Sequence, residues 1–144
     1  MKNYLQKHTK ELYTNNWSTP KYIYNHFMNL GYIDPNPLFS TIDPDTYDNG
    51  NKLFINPPYE RGIIDKFIDM AIRLHSKYNK EIVILIPART DTYYFHKLLN
   101  YGCSIYFIKG RLKFGDSKQS APFPSVIIKL TSNENKNTFN ILNL

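Results

Sequence analysis

Five consecutive residues, Ile82-Val83-Ile84-Leu85-Ile86, are apolar without alternation and stop at Pro87. A strand with one wet face alternates apolar and polar residues, so an unbroken apolar run predicts a strand buried on both faces. Such a strand needs a covering layer on each side, and the chain supplies helices. Ile63 to Tyr78 carries Ile64, Phe67, Ile68, Ala71, Ile72 and Leu74 on one side, the pattern of an amphipathic helix. An earlier helix opens after Trp17, with Thr19 as N-cap, Pro20 at its first position, Gly31 closing it, and Ile23, Phe27 and Leu30 as its buried stripe. A third is capped by Thr90 or Asp91 and ends near Gly102. Lys52 to Ile55, Ser104 to Ile108 and Ser125 to Leu130 read as further strands, and Tyr32-Ile33 is a very short apolar run. No helical pattern separates the last two long strands, which predicts an antiparallel pair. Helices alternating with strands predict a doubly wound α/β sheet; α+β is the alternative, because the early strands are so short. Residues 1–16 read as an N-terminal extension, 17–130 as the domain, and 131–144 as a polar tail with an edge strand at Phe139 to Leu142.

At 144 residues the chain predicts one domain with a single core, and 42% hydrophobic content argues against disorder. No apolar run is long enough to span a bilayer, and the polar start is unlike a secretory signal. A lone cysteine, Cys103, excludes an intramolecular disulfide and suits a reducing cytoplasm. Four histidines without neighbouring cysteines lack metal-ligand spacing, so no metal is expected. A formal charge of +6 and a pI near 9.3 point to a polyanionic partner.

The chemistry concentrates at Asn56-Pro57-Pro58-Tyr59, between the Lys52 strand and the Ile63 helix. Ligands bind at the carboxyl ends of strands in open α/β sheets. Two prolines end the ladder there and stiffen the backbone. The asparagine side chain and the proline carbonyls are acceptors for the two N–H donors of an exocyclic amino group, and the tyrosine ring can stack on the attached base. Adenine N6, cytosine N4 or a glutamine amide would suit such a corner. The same four residues also suit a rigid strand-to-helix turn whose tyrosine is simply packed. Arg89, after the Ile82 strand, could meet a phosphate or pair with Asp91. Arg111, Lys113 and Lys118, interleaved with Phe114 and Phe123, suit nucleic-acid backbone contacts and base stacking, or a solvated hairpin. Arg61 flanks the corner, and His75 and His96 read as structural.

Several short motifs stand in one order: Trp17-Ser18-Thr19-Pro20; Asp34-Pro35; Asn56-Pro57-Pro58-Tyr59 with Arg61-Gly62; Pro87-Ala88-Arg89-Thr90-Asp91-Thr92 with Phe95-His96; Gly110-Arg111-Leu112-Lys113-Phe114-Gly115; and Ala121-Pro122-Phe123-Pro124-Ser125. Over residues 15–130 this set resembles the compact phage-type DNA N6-adenine methyltransferases, the Dam-like family of phages and prophages. The resemblance implies a compact Rossmann-like class I methyltransferase sheet, mostly parallel with an antiparallel last strand, and abbreviated in its first half. It implies S-adenosylmethionine as cofactor, double-stranded DNA as partner, and the cytoplasm, of a host cell if viral, as the place of action. Asn56 and the Pro57 carbonyl would accept the target amino group, with Pro58 stiffening the corner and Tyr59 stacking on the flipped base. Asp34 and Pro35 would stand at the mouth of the first strand by the cofactor, with Trp17, Thr19 and Pro20 covering its other side. Arg61, Arg89, Arg111, Lys113 and Lys118 would meet the nucleic acid.

The chain departs from that pattern in two places. Asp34-Pro35-Asn36-Pro37-Leu38-Phe39 contains no glycine for close backbone approach to a cofactor. Only the 21 residues 35–55 separate Asp34 from Asn56, leaving little room for the strand that presents a carboxylate to the ribose, a role for which Asp43, Asp45 or Asp48 is available. The competing readings are a non-catalytic descendant that binds nucleic acid or protein, and a methyltransferase acting on RNA or a protein glutamine.

Overall fold

The computed structural model describes residues 18–35, 50–115, 117–133 and 136–144. Trp17, Asp43, Asp45 and Asp48 lie outside them, as do Leu38 and Phe39. The described residues form an α/β fold of three helices and one mixed sheet of five strands. In chain order these are α1 (Lys21–Asn29), β1 (Lys52–Ile55), α2 (Ile63–Tyr78), β2 (Glu81–Pro87), α3 (Tyr93–Tyr101), β3 (Cys103–Phe107), β4 (Ser125–Leu130) and β5 (Thr138–Ile141).

The sheet order is β1-β2-β4-β3-β5. β1 pairs parallel with β2 and β3 with β5, while β4 is antiparallel to both of its neighbours. Four strands therefore share one direction and β4 opposes them. The strand expected to run antiparallel, Ser125 to Leu130, is β4, inserted between β2 and β3; β5 then continues the sheet beyond β3. Before β1, Ile33 adds one parallel rung: its N–H donates to Lys52 O (2.9 Å) and Phe54 N–H donates to its carbonyl (3.0 Å). The rung is short because Pro35, two residues on, has no N–H to extend the ladder.

Strand alternation divides the core in two. Leu53, Ile55, Ile82, Ile84, Ile86, Ile105, Val126 and Ile128 face α2 and α3. Phe54, Val83, Leu85 and Ile127 face the opposite way. There α1 covers them with Ile23 and Phe27, and Phe27 stacks on Phe54 at 5.0 Å. The rest of that face is covered by a loop, residues 108–124, through Leu112, Phe114, Ala121 and Phe123. Full burial of side chains of this size is worth about 1.5–3 kcal/mol each, and β2 is buried on both faces.

Local detail departs from the sequence reading at the helix starts. The residue before α1 is Pro20, whose carbonyl accepts from Ile23 and Tyr24 N–H, and no side chain caps the helix. Thr19 is therefore not the cap. Leu30, expected in the buried stripe, is 51% exposed because it falls just past the last turn. The residue before α3 is Thr92 rather than Thr90 or Asp91, and its hydroxyl donates to Arg89 O at 2.6 Å, tightening a turn instead of capping. The expected edge strand at Phe139 to Leu142 is β5, one residue earlier. Asn137 ties it down: Cys103 N–H donates to its Oδ1 (2.9 Å) and its Nδ2 donates to Leu99 O (3.0 Å).

Gly102 ends α3 at φ +108°, and a Cβ there would stand 2.4 Å from the Asn133 backbone nitrogen. Gly102→Ala should lower stability by at least about 1 kcal/mol in urea unfolding, since neither backbone can yield cheaply. Cys103 is buried, which pushes its thiol up to about 11. An alkylating reagent at neutral pH should leave Cys103 unmodified in the folded protein and label it fully after denaturation; rapid native labelling would contradict this packing.

Candidate active site

β1 delivers Asn56 to the carboxyl end of the sheet, and the two prolines that follow are buried. Asn56 is half-buried, and both ends of its carboxamide are held. Its Nδ2 donates to Thr19 Oγ1 at 3.1 Å, and its Oδ1 accepts from the Tyr59 hydroxyl at 2.7 Å. The same phenol lies 3.3 Å from the Leu85 carbonyl. Burial pushes the Tyr59 phenol well above its ordinary range, so it remains a proton donor at neutral pH. A carboxamide oxygen has two lone pairs, so the bond from Tyr59 does not by itself exhaust its capacity to accept.

The Tyr59 ring is clasped by the loop 108–124. It meets Phe114 edge-to-face at 5.9 Å and Phe123 at 5.6 Å. The loop is anchored at two points, Gly115 N–H donating to Ser18 O (2.8 Å) and Ala88 N–H to Pro124 O (2.8 Å), and Ala121 N–H donates to Leu112 O (2.8 Å) across the loop itself. Phe114 and Phe123, expected to stack on bases, are only 3% and 6% exposed. They pack against Tyr59 instead, because among the described residues only α1 covers the second face of the sheet, and it covers part of it. Phe123 also carries the Arg89 guanidinium over its ring at 5.2 Å.

Four connections thus meet at one end of the sheet: residues 18–20, 56–62, 88–92 and 108–124. The Ile33 rung brings Asp34, half-buried, and Pro35, buried, to the same end beside β1. Of the expected cofactor residues, Thr19 bonds Asn56 directly, Pro20 and Pro35 are buried, and Trp17 lies outside the described residues. Arg61, Arg89, Arg111, Lys113 and Lys118 are all exposed and all sit on these connections. His75 bonds the Tyr101 hydroxyl and His96 the Thr90 carbonyl, so both serve packing. Among the described residues, no group of three or more His, Cys, Asp or Glu could hold a metal ion. None of their helices is long and apolar enough to cross a membrane.

The oxygens of Asp34 and Asn56, together with the Tyr59 phenol, suit a cationic sulfonium and ribose hydroxyls. Ser125 Oγ, opposite Pro87 at the same end of the sheet, is buried without a partner among the described residues. The donor set thus fits S-adenosylmethionine in its chemistry. A cavity of about 280 Å³ lies elsewhere, at the amino end of β2, lined by His26, Phe27, Tyr32, Val83, Tyr106 and Lys129 among others. Sequence reasoning missed the Thr19–Asn56 bond and the clasp on Tyr59. The ordering of the motifs was their only trace, and ordering does not say which side chains touch.

These features describe an α/β domain that gathers an amide, carboxylate and hydroxyl set, rimmed by cations, at the carboxyl end of its sheet. A family model described as DNA N-6-adenine-methyltransferase (Dam) matches residues 36–141. That is well over half of the chain, and the protein belongs to this family. The comparisons with curated proteins and with solved structures gave no match.

Beside the cavity, the Tyr32 hydroxyl donates to Glu81 Oε1 at 2.6 Å and Lys129 Nζ lies 3.0 Å from the same carboxylate. The Tyr32 bond, then Lys129, hold the Glu81 carboxyl below its ordinary range, against some desolvation. The folded state therefore binds fewer protons than the unfolded chain. The resulting stability is present above the unfolded value, about pH 4.3, and is lost as pH falls through the lower folded one. Tyr32→Phe should flatten the loss of stability between about pH 6 and about pH 3 in urea titrations; an unchanged acid limb would show that the phenol does not hold the carboxylate.

Proposed function

We propose that the protein transfers a methyl group from S-adenosylmethionine to N6 of adenine in double-stranded DNA, directly and in line. The observation that carries this reading is the Asn56 carboxamide, held by Thr19 and Tyr59 at the strand end beside Asp34. An aromatic amine is a poor nucleophile because its lone pair is delocalised into the ring. Asn56 Oδ1 and the Pro57 carbonyl, accepting its two N–H groups, would favour a pyramidal nitrogen with the lone pair directed outward. Asp34, Pro35 and Pro20 would hold the cofactor, which supplies an electrophilic methyl group when bound. Positioning and fixed dipoles then supply most of the acceleration. The base must leave the duplex, at a cost of a few kcal/mol, and Tyr59 would stack on it. Arg61, Arg89, Arg111, Lys113 and Lys118 would take the phosphates, making binding strongly salt-dependent.

The sequence of Ile33, β1, β2, β4 and β3 across the sheet supports reading it as part of a Rossmann-like class I methyltransferase sheet with an abbreviated first half. On this reading residues 17–130 are the enzymatic domain, 1–16 an extension and 131–144 a tail whose β5 adds an edge strand to the domain's sheet, acting in the cytoplasm. One observation favours a second reading, a non-catalytic nucleic-acid-binding descendant: Tyr59 is clasped by Phe114 and Phe123.

Incubation with labelled S-adenosylmethionine and unmethylated DNA, RNA or a glutamine-containing peptide separates these readings. Label should enter N6 of adenine in DNA, and Asn56→Ala and Tyr59→Ala should each lower the rate by at least about 100-fold while the fold persists by circular dichroism. DNA binding without cofactor heat in calorimetry would favour the non-catalytic reading. Full activity in both variants would remove Asn56 and Tyr59 from the site.

A further inference from the structure

We propose that Thr19 is a positioning residue that fixes the orientation of the Asn56 carboxamide, rather than a contact to the cofactor. The inference rests on the methyl-transfer reading above for its consequence, but its geometry is independent of it. An asparagine carboxamide turns over a broad, roughly two-fold torsion, so its oxygen is aimed steadily only where its plane is held. Tyr59, three residues along, grips the oxygen end at 2.7 Å; Thr19, 37 residues away in sequence, grips the nitrogen end at 3.1 Å. Held at opposite ends, the carboxamide plane cannot swing out of the corner without breaking both bonds, whereas a single tether at the oxygen end leaves it free to pivot.

Two further observations point to Thr19. Thr19 stands next to Pro20, the residue before α1, yet α1 has no side-chain cap and the Thr19 hydroxyl bonds Asn56. The backbone on either side of Thr19 is also anchored: Ser18 O accepts from Gly115 N–H at 2.8 Å, and Pro20 is buried with its φ set by its ring. Thr19 lies ahead of residues 36–141, which the family model matches, so its part is not contained in that match.

Thr19→Val keeps the shape and removes the hydroxyl; Thr19→Ser keeps the hydroxyl. Thr19→Val should lower kcat by about 10- to 100-fold, the scale of a small misplacement at a reacting centre, with the calorimetric Kd for S-adenosylmethionine unchanged. Thr19→Ser should restore most of the rate. A readout free of activity is the side-chain NH2 resonance pair of Asn56 by NMR, assigned from its disappearance in Asn56→Asp. In Thr19→Val the pair should shift and exchange faster with water, and in Thr19→Ser it should not. Unaltered Asn56 resonances in Thr19→Val, or a cofactor Kd that weakens in step with the rate, would overturn the proposal. Should the wild-type protein transfer no methyl group while the resonances behave as expected, the function fails and the positioning role stands.

Discussion

The insertion of β4 between β2 and β3, antiparallel to both, decides where the rest of the molecule can lie. Because β4 starts opposite Pro87, the chain leaving β3 must travel to the carboxyl end of β2 before it can enter the sheet. That route lays the loop 108–124 across the second face, where α1 covers only part of the apolar surface. Leu112, Phe114, Ala121 and Phe123 bury themselves there and close on Tyr59. A connection of this kind does two jobs at once: it completes a core and forms one wall of a site.

The Asn56 corner gains its order from that wall. Pro57 and Pro58 stiffen the backbone, yet they do nothing to orient the side chains on either side of them. Orientation comes from distant parts of the chain: Thr19 on the carboxamide nitrogen, Leu85 and Asn56 around the phenol, and the two phenylalanines around the ring. The segment 18–20 is in turn secured by Gly115, so the wall and the corner brace one another. Membership of the Dam family supports adenine methylation in general terms, and the exposed cations on these connections agree with a phosphate-bearing partner.

Much of the architecture was legible in the sequence, for identifiable reasons. The unbroken run at residues 82–86 had to be buried on both faces, and β2 is. The stripe from Ile64 to Leu74 had the helical period, and α2 runs Ile63–Tyr78 as read. The lack of a helical pattern between β3 and β4 implied their antiparallel pairing, which is present. Helix starts were read less well. Thr19 and Thr90 have the residue types that cap helices, but the residues that precede α1 and α3 are Pro20 and Thr92; the Thr19 hydroxyl bonds Asn56 and the Thr92 hydroxyl bonds Arg89 O. Capping propensity is a local preference of about 1 kcal/mol, and another hydrogen bond of similar worth competes with it.

Sequence alone determined the elements whose signal is short-range: the buried strand, the amphipathic helix, the proline-stiffened corner and the order of the motifs around it. Backbone sterics and hydrophobic periodicity act over a few residues, so they are written wherever those residues stand. Tertiary structure alone decided that Phe114 and Phe123 serve the core instead of a base, that Thr19 belongs to Asn56, and that the described cavity opens at the far end of the sheet. Each of those outcomes depends on which uncovered surface a long loop meets, and that is set by strand order across the sheet, not by neighbours in the chain.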